Sequence, residues 1–173
     1  RFDVVVAVGA PALRAMQQAT TTLPIVMYGN FDPLALGLVR SLARPGGNIT
    51  GVLIAPDGTL AAKRLQLLKE MVPQAARIGL LVPDEESIRL QVQETLAAAK
   101  TLRVELPVAT VRAGDYATAF DTLSRQRVAA LVVGSHQYFL RDRAAIIALA
   151  AQHKLPAMYE WREQVADGGL MTY

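Results

Sequence analysis

The chain has 173 residues, 52% of them hydrophobic, and a formal net charge of +3 at pH 7. This composition excludes an intrinsically disordered chain, and the length allows one large domain or two small lobes. The basic residues are scattered singly and in pairs rather than clustered among aromatic residues, so we expect no nucleic-acid partner. Cysteine is absent, which excludes disulfides, thiolate metal sites and cysteine nucleophiles within this chain. No apolar run reaches the roughly 18 to 20 residues needed to cross a bilayer.

Short segments rich in Val, Ile and Leu alternate with helical patterns along the chain. This alternation is typical of an α/β protein with a parallel sheet covered on both faces. The predicted strands, in chain order, are residues 2–8, 24–28, 48–54, 77–82, 104–111, 129–134, 156–159 and 169–173. We therefore predict doubly wound parallel sheets with helices between the strands.

Two aspartates predict helix starts. Asp32 is followed by Pro33, which supplies an N-cap carboxylate and a first-turn proline, and this helix is predicted to run to about Ala43. Asp115 is predicted to cap a helix at residues 116–124.

Candidate binding residues lie after the predicted strands, because ligands of open parallel sheets bind outside the carboxyl ends of the strands. Aromatic side chains are frequent in these loops, where they can bury a flat ligand and add a hydrogen bond. The alternative for each ring is that it packs its own helix onto the sheet. The candidates are Gly9, Ala10, Pro11, Tyr28, Asn30, Phe31, Asp32, Asp84, Ser87, Ser135, His136, Tyr138, Tyr159, Trp161 and Arg162.

Motifs for catalysis are missing. The segment VGAPAL follows the first strand but lacks GxGxxG, and no GxxxxGK[ST] phosphate loop is present. His136 and His153 do not have the spacing of metal ligands, and the acidic run at residues 84–86 is explained by a helix start. We expect no enzyme activity, no cofactor and no metal.

Three segments carry a resemblance to a known family: DPLALGLVRSLARPGGNITGV (32–52), KRLQLLKEMVPQAARIGLL (63–81) and LPAMYEWREQVADGGLMTY (155–173). In order and spacing they are similar to segments of the ABC-transporter substrate-binding proteins that include tryptophan- and tyrosine-binding members. The resemblance covers nearly the whole chain.

This resemblance implies a type I periplasmic-binding fold, in which two lobes close over a small solute in the interlobe cleft and present it to an ABC permease. Residues 1–52 would belong to the first lobe, residues 53–168 to the second, and residues 169–173 to a crossover back toward the first. The implied location is periplasmic or extracytoplasmic, although this chain shows no signal peptide.

Family members carry further βα units ahead of the equivalent of Phe2, so the chain is expected to be a fragment with an incomplete first lobe. An exposed sheet edge favours pairing with another copy, and we therefore expect a homodimer.

The ligand expected from the residues is a small organic solute, either an amino acid or an aromatic or other organic acid. Helix N-termini offer free N–H groups to a carboxylate, and Arg162 can add a bidentate contact. The loops VPDEES (82–87) and GSHQYF (134–139) depart from the family pattern, so the specificity of relatives is not transferred. The alternative function is the ligand-binding domain of a sensor or transcription regulator, which would share the fold.

Overall fold

The computed structural model describes residues 2–29, 31–54 and 59–173, which contain eight strands, seven α-helices and one short 3-10 helix, Glu86–Ile88. The strands are β1 Val5–Val8, β2 Ile25–Gly29, β3 Ile49–Leu53, β4 Ile78–Pro83, β5 Val108–Val111, β6 Ala130–Val133, β7 Ala157–Tyr159 and β8 Met171–Thr172. The helices are α1 Ala10–Ala19, α2 Thr59–Met71, α3 Arg89–Leu102, α4 Tyr116–Arg125, α5 Gln137–Arg141, α6 Arg143–Gln152 and α7 Arg162–Ala166. Each predicted strand is present, and the α/β class with parallel sheets is confirmed.

The chain divides into two compact units, Arg1–Asp57 and Gly58–Tyr173. The sequence predicts the boundary between the lobes at residues 52 and 53, and the assignment of lobes stays a prediction. The predicted crossover at residues 169–173 contains β8, which pairs in parallel with β7 in the second unit.

The second unit contains a five-stranded parallel sheet in the order β5-β4-β6-β7-β8. Successive side chains of a strand point to opposite faces, so this sheet has two cores. Leu81 and Leu131 belong to the core that includes residues of α4 and α6. Leu80 and Val132 belong to the opposite core, which includes residues of α2 and α3. Both faces are therefore covered, as the unbroken apolar strands predict.

The helix predicted at residues 33–43 is wrong. Asp32 does act as a cap, because its Oδ1 accepts hydrogen bonds from the N–H groups of Leu34 at 2.9 Å and Ala35 at 3.1 Å. The chain makes only a turn, however, and Gly37 has a φ of 67°, a left-handed conformation that ends helices. The cap signal was correct, but the helix stops after one turn. At the other predicted helix start, Asp115 does cap α4 by accepting from the N–H of Thr118.

The first unit contains a three-stranded parallel sheet in the order β1-β2-β3. One face is buried, and Ile25 and Met27 pack there in a core that includes Leu13 of α1. On the other face, Val8, Tyr28 and Val52 form one row of the strand register and are 47%, 46% and 61% exposed. The described part of this unit thus leaves an apolar row of its sheet in contact with solvent.

The expected homodimer stays a prediction. We expect the chain to elute with the mass of a dimer in size-exclusion chromatography with light scattering at high protein concentration. Val8→Lys places a charge in the exposed row of an outer strand and is expected to shift the mass toward the monomer, whereas Ala117→Lys, at an exposed position of α4, is expected not to. A wild-type monomer at every concentration would contradict the prediction.

The strands β2 and β3 approach each other closely at Gly51. It has a φ of 153°, and a Cβ added there would overlap the carbonyl oxygen of Met27 on the neighbouring strand. We expect Gly51→Ala to lower the free energy of unfolding by about 3 kcal/mol, because neither backbone can give way without breaking the strand pairing. Urea unfolding measures this, with Gly47→Ala as the control, since a Cβ at Gly47 meets no atom within 4 Å. Equal stability of the two variants would contradict the prediction.

Candidate functional site

The strand order of the second unit creates a crevice at the carboxyl ends of β4 and β6. Within the sheet, β5 lies on one side of β4 and β6 lies on the other side. The chain therefore runs from β4 to β5 and then crosses back past β4 to β6. The loops after β4 and β6 therefore leave the sheet in different directions. In open α/β sheets such a switch point is where ligands bind.

A close polar contact joins the two loops at this switch point. Nε2 of His136, after β6, lies 3.2 Å from Oε2 of Glu85, after β4. The backbone N–H of Tyr138 donates to Nδ1 of His136 at 3.3 Å, which leaves the ring proton on Nε2 facing Glu85. Burial lowers the pKa of His136, and the charge of Glu85 and its hydrogen bond partly oppose that effect. Ser87 also reaches this carboxylate, because its hydroxyl donates to Glu85 at 3.3 Å.

Aromatic rings surround the histidine. The rings of His136 and Tyr138 are in edge contact with centroids 4.7 Å apart, and the guanidinium carbon of Arg141 lies 5.0 Å from the centroid of Tyr138. Next to them is a cavity of about 300 Å³, whose lining includes Asp84, Glu85, Tyr116, Tyr138 and Asp142. This volume is at the lower end of the range for small-molecule sites.

Two carboxylates that line this cavity, those of Asp142 and Asp84, are paired with arginines. Arg141 donates two hydrogen bonds to Asp142, at 2.6 and 2.7 Å, which lower the pKa of that carboxyl group. The hydroxyl of Tyr116 donates to Asp142 at 2.7 Å, and burial is the main reason why the pKa of Tyr116 is raised. Asp84 pairs with Arg112 at 2.9 Å on the exposed rim. A solute in this cavity would meet a polar wall in which Asp142 and Asp84 already have arginine partners.

A second cluster of polar side chains lies at the carboxyl ends of β6 and β7. Ser135 is 6% exposed, and its N–H donates to Oε1 of Gln91 in α3 at 2.9 Å. Glu160 follows β7 and pairs with Arg64 of α2 at 3.4 Å, with side chains that are 7% and 4% exposed. Nε of Arg64 also donates to the carbonyl oxygen of Tyr173 at 2.7 Å.

Burial acts in opposite directions on the two members of this pair. It raises the pKa of Glu160, while the charge of Arg64 and hydrogen bonds from Ser135 and Arg64 oppose the rise. It lowers the pKa of Arg64, against the attraction of Glu160. The two charges therefore depend on each other inside the protein.

The structure brings together four predicted residues of the second unit, Ser87, Ser135, His136 and Tyr138, and places Asp84 on the rim of the adjoining cavity. Tyr159 is 1% exposed and its ring belongs to the hydrophobic core, where burial raises its pKa to about 12. Trp161 is half-buried, and Arg162 is exposed at the start of α7.

In the first unit, Gly9 has a φ of 81° and is the N-cap of α1, whose first two residues are Ala10 and Pro11. Phe31 is 4% exposed and packs in the core, whereas Tyr28 lies on the exposed face of the sheet. Asp32 caps the turn described above. Asn30 lies outside the described residues.

Sequence reasoning missed the charged and amide groups that organise the site, namely Glu85, Gln91, Glu160 and Arg64. Glu85 and Glu160 fall inside loops that the strand-end rule had selected, but a carboxylate near a helix start has a simpler explanation. Gln91 and Arg64 lie within helices, and nothing in their local sequence marks them as partners of strand-end residues.

Two further searches of the described residues bear on the class of protein. No group of three or more His, Asp or Glu side chains is placed to hold a metal ion within the described ranges. None of the helices described is long and apolar enough to cross a membrane.

The family model described as ABC transporter substrate binding protein matches residues 1–173. The chain belongs to this family. It is a family of solute-binding proteins and not of enzymes, in agreement with the expectation from the sequence.

Among similar proteins, the "Tyrosine-binding protein" of Clostridioides difficile (strain R20291) is 26% identical over 169 residues, which are 97% of this chain and 48% of that protein. A crystal structure of an ABC domain in complex with L-Trp from Streptococcus pneumonia is 27% identical with a TM-score of 0.84, covering 96% of this chain and 57% of the other. A conserved domain protein from Vibrio cholerae is 25% identical with a TM-score of 0.84, covering 98% and 56%. The chain thus spans about half the length of these family relatives.

We expect the site to make stability depend on pH through His136. Its pKa is lower in the folded than in the unfolded chain, so the stability is present above about pH 6.5 and is lost as the pH falls and the ring must be protonated. The loss for one proton is at most about 1.4 kcal/mol per pH unit. Melting temperatures measured from pH 7 to 5 are expected to fall less for His136→Gln than for the wild type, with His153→Gln as control. Identical pH profiles for wild type and His136→Gln would contradict this.

Proposed function

We propose that the chain is the solute-binding part of an extracytoplasmic component of an ABC importer, and that it binds a small organic solute, either an amino acid or an aromatic or other organic acid. The observation that carries the proposal is the crevice at the β4/β6 switch point. Glu85 contacts His136 there, and a cavity of about 300 Å³ lies beside them. A pocket of this size and mixed polarity fits a small organic molecule better than a polymer.

The family supports this proposal. Its model covers the whole chain, and relatives at 26% and 27% identity are described as a tyrosine-binding protein and as a complex with L-Trp. Both of those ligands are amino acids with an aromatic side chain. The rings of His136 and Tyr138, at the edge of the cavity, offer such a side chain a stacking surface.

The predicted contacts outside this crevice remain part of the proposal. Arg162 is exposed and can pair with a ligand carboxylate, and Trp161 precedes it with a half-buried ring. The predicted contacts of the first unit, the closure of two lobes over the solute, and docking to a permease also stay predictions. The location outside the cytoplasm is proposed from the family alone.

A ligand screen tests the proposal. Calorimetry or thermal shift is run against the amino acids and a set of aromatic and short aliphatic acids, with the 173-residue chain and, where the reading frame is longer, with its full product. At least one of these compounds is expected to bind. Loss of uptake of that compound when the gene is deleted is the expected result for an importer, whereas a change of gene expression with intact uptake would favour the sensor domain.

Arg162 gives a residue-level prediction for an anionic ligand. We expect Arg162→Ala to weaken binding by about 1.5 to 3 kcal/mol, because a hydrogen-bonded charge pair is lost. Arg125→Ala is the matched control, since Arg125 ends α4 and so lies toward the opposite edge of the sheet. An unchanged dissociation constant for Arg162→Ala would assign that arginine to the surface rather than to the ligand.

A further inference from the structure

The helix ends and strand starts of the second unit share one edge of its sheet. Because the strands are parallel, a helix that connects two of them runs back and ends where the next strand begins. Backbone hydrogen bonds join these starts. The N–H of Glu105 donates to the carbonyl oxygen of Ala76, and the N–H of Ala129 donates to that of Arg77, both at 2.9 Å. This amino edge lies opposite the carboxyl ends of the strands and the crevice of the candidate site.

Basic side chains that are scattered in the sequence come together at this amino edge. We call these six exposed residues the basic edge: Arg77, Lys100, Arg103, Arg125, Arg127 and Lys154. The last helical turns and the connections to the next strands also contain two acidic residues, Glu70 and Glu105. Glu105 pairs with Arg77 at 2.6 Å. Cations outnumber carboxylates here, so the amino edge has a net positive charge.

Three residues of the basic edge lie at positions that favour glycine. Arg103, Arg127 and Lys154 have φ values of 54°, 55° and 53°, the left-handed conformation in which helices usually end at glycine. In each case the N–H of the following residue donates to the carbonyl oxygen five residues before it, which closes the helix in the same way. A cation near a helix end stabilises the last carbonyl groups, but Lys100 and Arg125 already lie in the last turns of α3 and α4. Helix capping alone therefore does not explain the cations at these left-handed positions.

The composition of the amino edge determines which partner fits it. Protein interfaces have an apolar core that is rich in aromatic residues and poor in lysine, and single-stranded nucleic acids stack on aromatic rings. The turns that carry the basic edge contain no Phe, Tyr or Trp. Met71, at the end of α2, is 66% exposed at the same edge. Long basic side chains beside an apolar residue are typical of surfaces that lie on anionic lipid headgroups.

We propose that the basic edge binds the surface of a bilayer that contains anionic phospholipids. This inference goes beyond the proposed function and concerns the edge of the sheet opposite the candidate site. Attraction between exposed cations and negatively charged headgroups acts over about 10 Å at moderate ionic strength, so it requires no pocket. Each Lys or Arg that reaches the headgroups strengthens binding by about fivefold.

Sedimentation with lipid vesicles tests the proposal and needs no solute. The 173-residue chain is mixed with vesicles of phosphatidylcholine alone, or of phosphatidylcholine and phosphatidylglycerol in equal parts, at ionic strengths of about 0.02 M and about 0.5 M. We expect binding to the mixed vesicles at the lower ionic strength and binding weaker by at least about 10-fold at the higher one. Vesicles of phosphatidylcholine alone are expected not to bind. Equal binding to both kinds of vesicle, or binding that is insensitive to salt, would overturn the proposal.

A glycine variant tests the residues themselves. Arg103→Gly, Arg127→Gly and Lys154→Gly together remove three positive charges, while glycine favours the left-handed backbone at each position. The fold is therefore expected to persist, which circular dichroism checks, and binding to the mixed vesicles is expected to weaken by about 100-fold. If this variant does not fold, the dependence of the unmodified chain on lipid charge and salt still decides the question. Binding as tight as that of the wild type would overturn the proposal.

The matched control removes three arginines from the carboxyl edge of the same sheet. Arg89 and Arg143 begin α3 and α6, and Arg112 follows β5. Replacing all three with glutamine lowers the net charge by the same amount and is expected to change vesicle binding less than about threefold. An equal loss in both variants would overturn the assignment to the basic edge, because net charge alone would then govern binding. Binding of polyglutamate without binding of anionic vesicles would overturn the proposal in favour of an acidic protein partner.

Discussion

Burial of the second unit's sheet on both faces is the constraint on which the rest of that unit depends. Leu80 and Leu81, adjacent in β4, pack into different cores on opposite faces of the sheet. A shift of β4 by one residue would exchange these faces, so the register is fixed by packing. With the register fixed, the carboxyl ends of β4 and β6 are fixed as well, and so is the crevice between their loops.

Buried charges at this edge of the sheet depend on each other for stability. The Arg64–Glu160 pair is almost fully buried, and removing one member of such a pair typically costs about 3 to 5 kcal/mol, since the other charge stays uncompensated. A hydrophobic pair of similar volume would serve stability as well or better.

The first unit also contains a parallel sheet, but its side chains are buried on one face only. Val8, Tyr28 and Val52 are exposed on the other face. Parallel sheets are normally covered on both faces. The chain spans about half the length of these relatives.

The sequence by itself determined the strands, the α/β class, the caps at Asp32 and Asp115, and the loops in which ligand contacts were sought. These features depend on local periodicity, turn residues and capping side chains, which a linear sequence displays. The predicted helix after Pro33 was wrong. The apolar pattern alone would extend this helix, but Gly37 ends it after one turn. Only the tertiary structure decided which loops meet. Glu85 contacts His136 because β6 lies beside β4, and Arg64 contacts Glu160 because α2 packs over the sheet. Long-range pairings of this kind are set by strand order and core packing rather than by neighbouring residues.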